Sequence, residues 1–168
     1  GTFYQYGGTQ VDVTGDLILG VTPDNDGSTS IDTYYLNPTN VMSQYNLPTI
    51  LSVAGNVVVG VFASGMIDQD NGSQCNIAGD LIIAQEKFIN RSIYNIKGTG
   101  TSLSVGGNVI VGNAGDGDFA QTNGALNTIS GNLTLGKELN SKGYYGVNGS
   151  VSILLVGGNI NVGLDGKG

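Results

Sequence analysis

The 168-residue chain is rich in aliphatic residues and glycine (29 residues), and only 11% of its residues are charged, so its composition excludes a disordered chain. Six basic residues against 13 acidic ones give a net charge of −7, which argues against binding to nucleic acid and to anionic membrane surfaces. No segment approaches the roughly 20 apolar residues of a membrane span and no signal-peptide pattern is present, so we expect a mature or excised portion of a protein.

One short pattern occurs six times along the chain, first at 13–20. It consists of a β-branched residue, a Gly, an Asn or Asp, and then alternating aliphatic residues. Repeats separated by 24–40 residues are typical of solenoids, propellers and arrays. The central glycines, which we predict to form corners, are Gly15, Gly55, Gly79, Gly107, Gly131 and Gly158.

Each copy predicts two short strands that meet at a bend. At 103–105 and 109–111 alternate residues are aliphatic, which is typical of pleated strands. The intervening Gly-Asn or Gly-Asp supplies turn chemistry, because Gly adopts a positive φ without penalty and Asn or Asp bonds to nearby backbone. A third predicted strand precedes these two, so each rung contains three.

The third strand has two alternating versions, which join the rungs into superrepeats 1–64, 65–116 and 117–168. We interpret 21–48 as a loop insertion in the first superrepeat of a single β-solenoid that spans 1–168. Gly168 stands five residues after the pattern copy at 156–163, as Gly117 stands five residues after the copy at 105–112, and Gly117 is the first residue of a superrepeat. We therefore expect the solenoid to continue in a longer chain or in a neighbouring subunit.

These repeats predict an all-β fold, a parallel β-helix of about six rungs with three short strands each. Rungs stacked ~4.8 Å apart bring equivalent inward residues into columns. Three columns are aliphatic and begin at Val13, Leu17 and Leu19. A buried Gln needs hydrogen-bond partners, so we expect a corner carbonyl near residues 7–8 to supply one and assign the glutamines a structural role. The aromatic and glutamine columns contain Phe3, Tyr34, Tyr94, Phe119, Tyr145, Gln5, Gln69 and Gln121.

The segments 1–20 and 101–117 resemble the Gly-rich β-strand repeats of bacterial autotransporter passenger-type proteins and related large secreted or surface repeat proteins. The resemblance covers nearly the whole chain apart from 21–48. It implies a right-handed β-helix outside the cell or at the cell surface, where it acts as a stalk, an adhesin or a matrix fibre such as that of a biofilm. The family offers no catalytic motif to carry over.

The residue types argue against an enzyme. The absence of His removes Ser-His-Asp and Cys-His catalysis and the usual zinc ligands. A polysaccharide-cleaving enzyme would need clustered carboxylates or basic residues, but acidic residues lie mostly at turns and Arg91 is the only arginine. We therefore expect no catalytic residues and no organic cofactor.

One acidic stretch offers oxygen ligands for a metal ion. Asp24, Asp26 and Asp32 flank polar residues in the insertion, and carboxylate oxygens are ligands that calcium prefers. The alternative is a solvated polar loop.

The single cysteine and several tyrosines complete the candidate residues. Cys75 occupies an apolar strand position and is expected to be a buried, inert thiol. Tyr4, Tyr6, Tyr35 and Tyr144 are expected to point outward or to lie at turns, where tyrosines can bind sugars or partner surfaces.

Together these features predict a non-enzymatic extracellular structural protein that forms a filament, stalk or matrix fibre by rung stacking. Its expected partner is itself, through end-to-end or lateral assembly, with no nucleic acid and no membrane span. The alternative is an adhesin that recognises a glycan or a surface protein through loops such as 21–48. An enzyme on a β-helical scaffold is a third reading, and activity on a polysaccharide would support it.

Overall fold

The computed structural model describes residues 1–21, 31–37, 47–87 and 91–168. The described residues form strands and turns, and they include no apolar helix of membrane-spanning length. In chain order the strands are β1 (Thr2–Tyr6), β2 (Gln10–Val13), β3 (Leu17–Leu19), β4 (Ile31–Asn37), β5 (Ile50–Val53), β6 (Val57–Val59), β7 (Ser64–Gln69), β8 (Gln74–Ile77), β9 (Leu81–Ile83), β10 (Ser92–Lys97), β11 (Ser102–Val105), β12 (Val109–Val111), β13 (Asp116–Thr122), β14 (Leu126–Ile129), β15 (Leu133–Leu135), β16 (Lys142–Asn148), β17 (Ile153–Val156) and β18 (Ile160–Val162).

The strands form three six-stranded parallel sheets, and every third strand belongs to the same sheet. Sheet 1 has the order β1-β4-β7-β10-β13-β16. Sheet 2 has the order β2-β5-β8-β11-β14-β17, and sheet 3 has the order β3-β6-β9-β12-β15-β18. Each circuit of the chain therefore adds one strand to every sheet. This arrangement confirms the predicted all-β parallel β-solenoid with three short strands in each rung.

Strand register places equivalent residues of successive rungs directly beside one another. Phe3 is paired with Tyr34, for example, and Gln5 with Leu36. Parallel strands in this register stack identical positions into columns along the solenoid axis. The six inward columns are Phe3-Tyr34-Ile67-Tyr94-Phe119-Tyr145, Gln5-Leu36-Gln69-Ile96-Gln121-Val147, Val11-Leu51-Cys75-Leu103-Asn127-Leu154, Val13-Val53-Ile77-Val105-Ile129-Val156, Leu17-Val57-Leu81-Val109-Leu133-Ile160 and Leu19-Val59-Ile83-Val111-Leu135-Val162.

The core lies inside the coil, where these columns meet. In the middle rungs the column residues are buried, and Val109 and Val111 are fully inaccessible to solvent. Burial of apolar surface contributes about 25 cal/mol per Å², so each added layer extends one continuous core. In the last rung Ile160 and Val162 are 57% and 61% exposed, because they have a neighbouring layer on one side only.

The predicted loop insertion at 21–48 contains a regular strand and is therefore not one loop. Strand β4 lies within it, where Tyr34 and Leu36 are buried members of the aromatic and glutamine columns. The alternating pattern at 31–37 supplies the sheet 1 strand of the second rung. The segments on either side, 22–30 and 38–46, lie outside the described residues.

Candidate functional site

Two arrangements that join successive rungs recur along the solenoid, and the first lies where sheet 2 turns into sheet 3. We name this bend the Asx corner, because a Gly is followed there by Asn or Asp. In each of the first five rungs the side-chain oxygen of the corner Asn or Asp accepts a hydrogen bond from the backbone N–H of the equivalent residue one rung later. The six members are Asp16, Asn56, Asp80, Asn108, Asn132 and Asn159, and the five successive distances are 2.6, 2.8, 2.6, 2.9 and 2.7 Å.

The corner glycines are required by the closeness of the preceding rung. The Gly107 N–H donates to the Gly79 carbonyl at 2.9 Å. A Cβ on Gly107 would overlap the Asp80 side-chain oxygen and lie 2.8 Å from the Gly79 carbonyl oxygen. None of the six corner glycines has a positive φ, so the sequence-based expectation of that conformation is wrong. The physical reason for Gly here is close approach rather than backbone freedom.

Positive φ occurs instead at the next bend, where sheet 3 turns into sheet 1. This position closes the repeated pattern, and its φ lies between 59° and 84° in all six rungs. L side chains rarely adopt that conformation, which explains the predominance of glycine. The closing residues are Gly20, Gly60, Ala84, Gly112, Gly136 and Gly163.

The second recurring arrangement is a buried hydrogen-bond cluster at the junction of sheets 1 and 2. The Gln69 side-chain amide donates to the carbonyls of Ser73 (3.2 Å) and Ser102 (2.8 Å). The Tyr94 hydroxyl donates to Gln69 Oε1 at 2.9 Å. Ser102 and Tyr94 belong to the rung after Gln69, so one glutamine joins two rungs. We name this cluster the Gln–Tyr clip.

The clip occurs three times, once in each superrepeat. Gln5 and Tyr34 form the first, with a hydroxyl-to-amide distance of 2.7 Å, and Gln121 and Tyr145 form the third, at 2.8 Å. In each clip the glutamine Nε2 also donates to two backbone carbonyls. This explains the alternation of two rung types, because a glutamine in one rung needs a tyrosine in the next.

Sequence reasoning found the glutamine columns and one carbonyl partner of the first glutamine, but not the tyrosine hydroxyl. The carbonyl expected beside residues 7–8 belongs to Thr9, 3.1 Å from Gln5 Nε2. A fixed offset in the aligned repeats could have identified the tyrosine. On the following rung, the tyrosine stands two residues before the position that is in register with the glutamine.

Ring stacking extends the aromatic column. Phe119 stacks between Tyr94 and Tyr145, with centroid distances of 5.1 and 4.4 Å and interplanar angles of 7° and 4°. Phe3 packs against Tyr34 at 4.9 Å, and Ile67 separates the two aromatic stretches. Offset aromatic contacts of this kind contribute about 0.5–1.5 kcal/mol beyond their buried area.

The interior holds its ionisable groups in their neutral forms. Burial raises the pKa of the Cys75 thiol to about 12, although a hydrogen bond with Tyr94 partly lowers it. Burial also raises the pKa of Tyr34, Tyr94 and Tyr145. Cys75 is therefore a buried, protonated thiol, and thiols of this kind are unreactive.

The proposed calcium ligands are only partly within the described residues. Asp24 and Asp26 lie outside them. Asp32 lies in β4, accepts a hydrogen bond from the Gly20 N–H at 3.1 Å and contacts the amino group of Gly1. Across 1–21, 31–37, 47–87 and 91–168 no group of three or more Cys, Asp or Glu side chains could hold a metal ion.

A shallow groove of about 440 Å³ runs over several rungs beside the Asx corner, on the outside of sheet 2. Its walls consist of small residues such as Ala54, Ala78 and Gly106, and Asp12 is the one ionisable residue in the described lining. A lone carboxylate does not provide the acid and base pair that glycoside cleavage uses.

The outer face of sheet 1 carries aromatic and charged side chains. Tyr4 stacks on Tyr35 (5.0 Å, 5°) and on Tyr6 (5.6 Å, 17°). Asp68 is the register partner of Tyr35 on the next strand. This face therefore presents exposed rings next to hydrogen-bonding groups.

An ion-pair cluster follows the tyrosines on that face. Lys97 Nζ lies 3.6 Å from Asp68 and 3.3 Å from Asp70. Partial burial lowers the pKa of Lys97, but the two carboxylates outweigh this effect and raise it. Lys97 therefore carries its charge at neutral pH, and the cluster remains polar where it faces solvent.

Comparisons of the chain with protein-family models, with curated proteins and with solved structures gave no significant match. The functional interpretation therefore depends on the residues and geometry described above.

Proposed function

We propose that this chain is a non-enzymatic structural element, a stiff β-solenoid segment of an extracellular or cell-surface filament, stalk or matrix fibre. The observation that carries the proposal is the Asx corner. Five consecutive side-chain-to-backbone hydrogen bonds link all six rungs there. Because every step along the axis carries this bond, each layer is held to the next, as a stiff rod requires.

Three kinds of axial bond act in parallel along the rod. The strand ladders of the three sheets run along the axis, because adjacent strands of one sheet belong to successive rungs. The Asx corner adds one side-chain bond for each step, and the Gln–Tyr clip adds a buried link at every second step. Pulling along the axis therefore loads many hydrogen bonds together, and this supports a mechanical role.

The last rung is suited to carry a further layer of the same kind. Its column residues Ile160 and Val162 are more than half exposed, whereas their equivalents Val109 and Val111 are buried. Lys167 already pairs in parallel with Lys142 of sheet 1, so the backbone there follows the register of the preceding strands. We propose that copies of this chain assemble end to end or laterally, and that end-to-end assembly would cover such exposed columns.

Electron microscopy of native material tests the proposal. Antibodies raised against the chain should label elongated structures on intact, unpermeabilised cells or in shed material. Fibres enriched with the same antibodies should diffract at an axial spacing near ~4.8 Å. Labelling confined to permeabilised cells, or isolated particles without axial order, would contradict the proposal.

A further inference from the structure

The outer face of sheet 1 carries exposed tyrosines at both ends, and they are not needed for the core. In the first rung Tyr4 is 55% exposed and Tyr6 is 39% exposed. Tyr4 stacks on the neighbouring Tyr35 with nearly parallel rings. The result is an aromatic patch held on two hydrogen-bonded strands, so its rings are positioned before any ligand arrives.

At the opposite end one tyrosine lies flat against the sheet. A Cβ on Gly146 would lie 3.0 Å from both the ring and the hydroxyl of Tyr144, so the ring occupies the space that a side chain at 146 would fill. Tyr144 is nevertheless 62% exposed. One face of its ring therefore rests on the backbone and the other faces solvent.

A straight column of short side chains connects the two aromatic ends. Its members are in register from strand to strand, so the column runs along the solenoid axis. Five steps of ~4.8 Å give a length of roughly 24 Å. The column is Tyr4-Tyr35-Asp68-Asn95-Ala120-Gly146.

We propose that this face of sheet 1 binds a neutral glycan strand lying along the solenoid axis. The apolar C–H face of a sugar ring packs on exposed aromatic rings, which combine an apolar body with a polar tip. Between the ends, Asp68 accepts hydrogen bonds from hydroxyls, Lys97 donates them and Asn95 does both. Aromatic ends with a polar centre match an extended polymer of rings and hydroxyls.

Charge distinguishes this ligand from the alternatives. The net charge of −7 disfavours an anionic polysaccharide or a nucleic acid. On this face the cations Lys97, Arg91 and Lys142 are already paired with carboxylates, which outnumber them. The centre of a protein interface is depleted of charged residues, whereas the Asp68–Lys97 ion pair lies in the middle of this face. A neutral glycan accommodates both features.

This inference is independent of the proposed structural role. The structural role depends on inward columns and corner contacts, whereas the glycan would contact outward side chains. A rod that fails to bind sugar, or a sugar-binding chain that does not form fibres, would separate the two proposals.

The test is titration of the intact chain with neutral hexasaccharides, namely cello-, xylo- and chito-oligosaccharides, with polygalacturonate as an anionic comparison. Because the chain has no Trp, tyrosine emission can be followed without interference, and the part of its change that is lost in the Y4A/Y35A variant belongs to the surface rings. Calorimetry gives the affinity. We expect at least one neutral oligosaccharide to bind and polygalacturonate to bind more weakly or not at all.

Substitutions then locate the site. Y4A combined with Y35A should weaken binding about tenfold, and Y144A about threefold for hexasaccharides but not for disaccharides, since aromatic contacts contribute about 0.5–1.5 kcal/mol each. F62A removes an exposed aromatic that lies outside the sheet 1 strands and should leave the affinity unchanged. Thermal unfolding of every variant controls for loss of fold.

Several outcomes would overturn the inference. They are the absence of binding to every neutral oligosaccharide at millimolar concentration, a preference for polygalacturonate, or equal affinity in the Y4A/Y35A variant and F62A. Self-association or capture of a protein that depends on Tyr4 and Tyr35 would instead identify the face as a protein interface and also reject the glycan.

Discussion

The Asx corner and the Gln–Tyr clip solve the same problem, the joining of one rung to the next, in different environments. At the Asx corner short side chains such as those of Asn108 and Asn132 are half-buried and bond to backbone. In the clip Gln69 and Tyr94 are fully buried and bond both to backbone and to each other. The corner recurs in each rung, the clip only in every second.

The difference in burial predicts a difference in energy. Loss of the partner of a buried polar atom lowers the free energy of unfolding by about 1–3 kcal/mol, because water cannot replace the bond. A half-buried atom at a corner can bond to water instead, so the decrease is smaller. The clips should therefore contribute more stability per contact, whereas the corners contribute through their number.

The largest effect is expected for Gln69→Ala. It removes one donor from each of two carbonyls, of which that of Ser73 still accepts the Ser102 N–H. It also deprives the Tyr94 hydroxyl of its Gln69 acceptor and opens a cavity, so the free energy of unfolding should fall by about 3 kcal/mol. Urea denaturation measures this value. Gln10→Ala, which alters an exposed glutamine of β2, should change it by less than about 0.5 kcal/mol. Similar values for these two variants would contradict the contribution of the clip, and equal losses for Gln69→Ala and Asn108→Ala would remove the energetic distinction between clip and corner.

A corner glycine should show the next largest effect. Gly107→Ala introduces a methyl group against the Asp80 side chain and the Gly79 carbonyl, so we expect a loss of about 2 kcal/mol from overpacking. The matched control is Gly15→Ala, because a Cβ there has no atom within 4 Å. If both variants lose the same stability, close approach is not the reason for glycine.

Removal of one corner side chain should have a smaller effect. Asn108→Ala deletes the acceptor for the Asn132 N–H and should cost about 1 kcal/mol. Asn159 occupies the last corner, and in the described residues its side chain accepts no bond from a following rung. Asn159→Ala should therefore be nearly neutral, and an equal cost at both sites would contradict the axial role of the side chain.

The smallest expected effect is a decrease in the free energy of unfolding at alkaline pH, which tests whether the Cys75 thiol is buried and protonated. The folded-state pKa of Cys75 is raised from 9.0 to about 12, so the protonated thiol stabilises the fold below pH 9 and this contribution declines as the pH rises toward 12. Between pH 7 and 9 ionisation of the thiol in the unfolded chain should lower the free energy of unfolding by about 0.4 kcal/mol. Urea denaturation at both pH values measures the decrease, and in the Cys75→Ala variant the decrease should be smaller by that amount.

Much of the fold could be predicted from the sequence, because one pattern recurs six times along the chain and its aliphatic residues alternate within the strands. Identical positions must stack in a parallel solenoid, so columns such as the one through Val13 and Val53 follow from alignment alone. Strand β4 was only partly accessible: Tyr34 was assigned to the aromatic column, but 21–48 as a whole was interpreted as a loop insertion because it makes the first superrepeat longer than the other two.

The details of the site depended on geometry that composition does not encode. The tyrosine partner of each glutamine lies on the following rung, so a search within one strand cannot find it. The role of Gly107 depends on the side chain of Asp80, 27 residues earlier in the chain. The position of Tyr144 over Gly146 likewise follows from a ring orientation that only the structure provides.

Native-state hydrogen exchange of the corner amides tests the central claim, that the Asx corner joins the rungs of one cooperative rod. The N–H groups of Asn108 and Asn132 lie in half-buried bends, which ordinarily exchange through local opening. We predict that they exchange only with global unfolding, at the same free energy as the amides of β12. Exchange at the rate of an unprotected peptide, with β12 still protected, would contradict the account.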